Sequence, residues 1–71
     1  MSNFHKGDRV RWNWGGNTAE AAVEDIFPRR VQRTLKGKKV TRNGSKKNPA
    51  YLLKQEDGDK ILKLHSELSK A

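Results

Sequence analysis

Gly7-Asp8-Arg9-Val10-Arg11-Trp12-Asn13-Trp14-Gly15-Gly16-Asn17 is the stretch that decides how this chain folds. Val10, Trp12 and Trp14 alternate with Arg9, Arg11 and Asn13. That is the period of a half-buried strand, whose successive side chains point to opposite faces. Gly15-Gly16 follows at once and supplies two residues free to take the positive φ that a tight hairpin needs.

Working outward, turn signals recur at Pro28, Gly37, Asn43-Gly44, Pro49 and Asp57-Gly58-Asp59, a spacing that fits strands and excludes long helices. A second strand is expected over residues 18–27. Ala19, Ala21 and Val23 are in phase there but Ile26 is not, so a bulge near Glu24-Asp25 is expected to return both to the core. Residues 30–36 and 39–42 flank Gly37-Lys38 as a hairpin would. Val31, Leu35 and Val40 are its only large apolar residues, and Arg33 falls on the face of Val31 and Leu35, so the hairpin is expected to reach beyond the core into solvent. Residues 50–55 read as a strand with Tyr51 and Leu53 in phase, and Asp57-Gly58 as a two-residue turn. Residues 60–64 close the fold, with Ile61, Leu62 and Leu64 competing for the interior. The tail from His65 to Lys70 suits one helical turn docked through Leu68. The expectation is an all-β fold: one domain over 1–71, a partly open barrel of about five antiparallel strands with a short C-terminal helical turn and a protruding basic hairpin at about 29–47.

The chain has 71 residues, of which 32% are hydrophobic and 34% charged. A chain this short buries only about 60% of the surface its unfolded form exposes, so its core is small and its few large apolar side chains must be well placed. Cysteine is absent, which excludes disulfides and thiolate metal sites. No run approaches the roughly 18 apolar residues of a membrane helix, and the start lacks the apolar stretch of a signal peptide, so a soluble, cytoplasmic protein is expected. A monomer or a weak homo-oligomer is compatible with this composition.

The net charge of +8 is unevenly spread. Residues 1–27 hold three basic and four acidic groups, residues 28–49 nine basic and none acidic, and residues 50–71 four of each. Nine like charges in one segment repel one another, and an anionic partner would relieve the repulsion. The plain alternative is a solvated, solubilising face.

Gly7-Asp8-Arg9-Val10-Arg11-Trp12, Tyr51-Leu52-Leu53 with Asp57-Gly58, and the late Leu68 resemble SH3-like barrels of the Tudor and KOW type. More specifically, Trp12-Asn13-Trp14-Gly15-Gly16, Lys36-Gly37-Lys38, Thr41-Arg42-Asn43-Gly44-Ser45, Asn48-Pro49-Ala50-Tyr51 and His65-Ser66-Glu67-Leu68 are similar to the hypervirulence-associated Tudor-domain family across nearly the whole chain. The resemblance implies a small SH3-like, Tudor-type barrel and brings no ligand with it.

The leading candidate site is the basic segment: Arg29, Arg30, Arg33, Lys36, Lys38, Lys39, Arg42, Lys46 and Lys47. Contacts from lysine and arginine to phosphates release condensed counterions, which drives sequence-independent nucleic-acid binding. The second candidate is aromatic. Trp14 and Phe27, at the ends of the first two strands, could form a cage for a methylated cation or stack on bases, whereas Trp12 and Tyr51 are expected in the core. Gly15-Gly16 and Gly37-Lys38 lack the spacing and the following helix of phosphate loops. His5 and His65 are far apart in sequence, and no nucleophile motif is present, so neither an enzyme nor a metal or other cofactor is expected. The favoured partner is nucleic acid. The alternatives are an acidic protein surface or peptide, and a phosphate-bearing small molecule such as a nucleotide.

Overall fold

The computed structural model describes residues 3–71. Its strands are β1 (Arg9–Trp14), β2 (Asn17–Phe27), β3 (Arg30–Leu35), β4 (Lys38–Asn43), β5 (Ala50–Lys54), β6 (Lys60–Leu64) and β7 (Ser69–Lys70), with a 3-10 turn over His65–Glu67 before the last. All the pairings are antiparallel. Five strands form a sheet in the order β6-β5-β2-β1-β7, and β3-β4 forms a sheet of its own. The fold is therefore a small all-β domain of antiparallel strands, as expected. The strand count exceeds the expected five or so partly because the tail adds a strand: Lys70 and Ser69 pair with Val10 and Arg11 on β1. Among the described residues, no helix is long and apolar enough to cross a membrane.

The bulge lies where the broken alternation placed it. Pairing of β2 with β5 steps from Val23↔Leu53 to Asp25↔Leu52, leaving Glu24 as the extra residue. The Asp25 carboxylate accepts a hydrogen bond from the Ile26 amide at 2.9 Å, holding the kink.

That kink also explains a feature the alternation hid: there are two cores. One gathers Val10, Trp12, Ala21, Val23, Tyr51, Leu53 and Leu68, and the other Phe27, Val31, Ala50, Leu52 and Leu62. Along β5 the residues alternate between them, so Ala50 to Leu53 are all buried. A strand covered on both faces reads as a continuous apolar run, not as an alternation. The competition among Ile61, Leu62 and Leu64 resolves in the same way, since Ile61 packs on the first core and the two leucines belong to the second.

The hairpin β3-β4 supplies the lid of the second core. Val31 is buried, Leu35 and Val40 are half-buried against it, and the Arg42 Nε donates to the Leu62 carbonyl on β6 at 3.3 Å. The hairpin expected to stand out in solvent thus has an anchored inner face, because apolar β5 and β6 need a cover there. Among the described residues no ladder joins β4 to β6, so the barrel is partly open along this seam.

Two turns differ from expectation. The β3-β4 turn is Lys36-Gly37, with φ of 51° and 76°, not Gly37-Lys38. The loop between β5 and β6 runs over five residues, 55–59, rather than two; the Gln55 amide donates to the Asp59 carbonyl, and the Asp59 amide to the Asp57 carboxylate. The C-terminal turn is tied down as well: His65 N donates to the Pro49 carbonyl at 2.8 Å, and Ser66 N to the Asn48 Oδ1 at 2.9 Å.

Candidate functional site

Register divides the basic segment between two faces. Arg30, Gln32 and Thr34 on β3 lie opposite Asn43, Thr41 and Lys39 on β4, so these six share the outer face. That face is entirely polar, and Gln32 Nε2 donates across it to the Thr41 hydroxyl at 3.2 Å. The inner face carries Val31, Arg33, Leu35, Lys38, Val40 and Arg42. Arg29, Lys46 and Lys47 are exposed in the flanking loops, and Lys36 sits in the turn.

Of the nine cations, Lys36 is neutralised from elsewhere in the chain by an ion pair with Asp59. This carboxylate holds the Lys36 ammonium above its ordinary pKa. Among the described residues none of the other eight has an acidic partner. Arg33 has a packing role: its guanidinium lies 4.7 Å from the centre of the Phe27 ring, with Arg29 at 5.9 Å. Arg33 therefore covers the edge of the second core over Phe27.

The paired aromatic site does not form. Trp14 is paired with Asn17 at the start of β2, whereas Phe27 is the last residue of that strand. Phe27 is also buried in the second core. It lies beyond the bulge, which reverses its facing relative to Val23, so it becomes a core residue and no cage wall. Trp12 and Tyr51 are buried, as expected. The Tyr51 hydroxyl accepts from the Phe4 amide at 3.3 Å and lies 3.2 Å from His65 Nδ1, and burial pushes the phenol's pKa up. His65 is thus engaged in an aromatic cluster with Phe4 and Tyr51, while exposed His5 lies beside the Asp8 carboxylate.

Among the described residues Trp14 is the exposed large hydrophobic side chain, 60% accessible. It lines a groove of about 670 Å³ that sequence reading did not find. Trp12 and Trp14 come from β1, Leu35 and Val40 from the hairpin, and Ile61 and Leu62 from β6. Lys36, Lys38, Arg42, Lys60 and Lys63 add five basic residues to the lining, and Gln55 completes it without any acid. The signal that could have revealed it was the surplus of apolar phases in β6, which left Ile61 and Leu62 pointing to opposite faces.

The sequence model of the family described as hypervirulence associated proteins Tudor domain matches residues 7–68. No curated protein and no solved structure matches the chain.

Proposed function

The chain belongs to the hypervirulence-associated Tudor-domain family, and from that premise we propose a non-enzymatic binding module whose ligand is nucleic acid, held through the basic hairpin with little dependence on sequence. Domains of Tudor type generally bind rather than catalyse. One observation carries the choice of ligand: eight basic side chains between Arg29 and Lys47 lack an acidic partner among the described residues, while seven of the chain's eight Asp and Glu carboxylates are engaged by other basic groups. The two-stranded β3-β4 ribbon also has the general form that enters a DNA groove. Its polar outer face, with Arg30 and Lys39, is free of core contacts that binding would disturb.

The test is a salt titration of a labelled duplex and a labelled single strand. Log K falls against log salt with a slope of roughly −0.9 per phosphate neutralised on duplex DNA. Arg30→Glu and Lys39→Glu leave the core untouched and are expected to reduce both affinity and slope. Absence of binding at low salt would remove the proposal. A peptide held in the Trp14 groove would instead tolerate salt and respond chiefly to changes at Trp14.

A further inference from the structure

Resting on that reading, we infer that the groove beside Trp14 takes an unpaired base of a single-stranded nucleic acid, stacked on the indole, with the adjoining phosphates met by Lys38 and Arg42. In a chain with so few large apolar side chains, a tryptophan left 60% accessible is a conspicuous absence from the core. It is the last residue of β1, where Trp14 pairs with Asn17 across the Gly15-Gly16 turn. A flat aromatic ring presented to solvent is what sequence-tolerant stacking of bases uses. The groove's volume of about 670 Å³ falls within the roughly 300–1,000 Å³ typical of small-molecule sites.

Charge then selects the occupant. Lys36, Lys60 and Lys63 are paired with Asp59, Glu24 and Glu67, which leaves Lys38 and Arg42 as the lining cations without an acidic partner among the described residues. Arg42 donates its Nε to the Leu62 carbonyl, so its position is fixed while its two terminal nitrogens remain available for phosphate oxygens. A methylated ammonium in the same groove would meet two unpaired cations, Lys38 and Arg42, and no carboxylate in the lining to balance its own charge. A base joined to a phosphate suits both the apolar wall and the cations. Duplex DNA offers only the second, because its base faces are already stacked on one another.

Affinity for a short oligothymidylate and for a duplex of equal length would be measured in the same low-salt buffer, together with quenching of tryptophan fluorescence. Trp14→Ala should weaken the single strand roughly 5- to 150-fold, the range set by loss of one stacked base, and leave the duplex nearly unchanged. Trp14→Phe should restore part of the affinity, and with buried Trp12 as its remaining indole it should lose most of the oligonucleotide-induced quench. Circular dichroism of both variants verifies that the fold is kept, and inorganic phosphate alone should not quench. Salt-sensitive binding of both nucleic acids that ignores Trp14 would overturn the groove while leaving the hairpin reading intact. Binding of neither would overturn both, and displacement by an acidic peptide as effective as the oligonucleotide would overturn the assignment of the groove to a base.

Discussion

Gly44 shows how a residue can be recognised correctly for an incomplete reason. In sequence, Asn43-Gly44 reads as turn chemistry, and the chain does turn at Ser45 to Asn48, where the Asn48 amide donates to the Ser45 hydroxyl. What the site demands of Gly44, however, is the absence of a side chain. A Cβ there would lie 2.6 Å from the Phe27 carbonyl oxygen, 2.7 Å from that of Arg29 and 2.8 Å from the Ala50 amide nitrogen. All three are backbone atoms, of β2, of the β2-β3 connection and of β5, which cannot swing aside as a flexible side chain would. Gly44→Ala is expected to cost about 3 kcal/mol, the upper part of the usual overpacking range, read from the urea midpoint. A loss under about 1 kcal/mol would mean that the loop yields and that the contact is not restrictive. Trp14 and Phe27 carry the same lesson: both are strand-end aromatics in sequence, but one ends exposed beside the Gly15-Gly16 turn while the bulge at Glu24 turns the other into the second core.

At the scale of elements, β3-β4 is the unit held least firmly. Its strands pair only with each other, and it meets the rest of the fold through Val31, Leu35, Val40, the Arg33–Phe27 contact, the Arg42–Leu62 hydrogen bond and the Lys36–Asp59 ion pair. By contrast, β2 and β5 each have ladder partners on both sides. Native-state hydrogen exchange is expected to show lower opening free energies for the β3-β4 amides than for those of β2 and β5. Equal protection in the two sheets would show that the hairpin opens only with the whole domain. The hairpin itself was legible from Gly37 and its flanking residues. Its seating was not, because Val31, Leu35 and Val40 look too few to hold it until the second apolar face of β5 and β6 is known.

For the whole molecule, the pKa shifts set the expected response to pH. Burial raises the Tyr51 phenol, and Asp59 raises Lys36. As pH climbs past the ordinary tyrosine value of about 10, the unfolded chain loses a proton that folded Tyr51 retains, so stability falls. The Lys36 contribution has the same sign: it is complete below the ordinary lysine value and disappears as pH rises through the raised one. Asp8 acts at the opposite end of the scale. The His5 amide donates to its carboxylate at 2.9 Å and holds its pKa low, a contribution present above the ordinary aspartate value and lost as pH falls through the lowered one. Melting temperature is thus expected to drop between neutral pH and about pH 11, and to drop less steeply in Tyr51→Phe. Parallel curves for the two proteins would exclude Tyr51 as a source of alkaline instability.

The sequence by itself determined the strands and most of their turns, the bulge, the buried roles of Trp12 and Tyr51 and the crowding of positive charge between Arg29 and Lys47, because periodicity, glycine placement and charge are properties of neighbours along the chain. Tertiary structure decided that β5 is covered on both faces, that the hairpin lies against β6, that β7 completes the main sheet, and that Lys38, Arg42 and Trp14 meet in one groove. Those outcomes depend on which faces pack together across long separations in sequence, and a two-residue alternation specifies that a face is apolar without specifying what covers it.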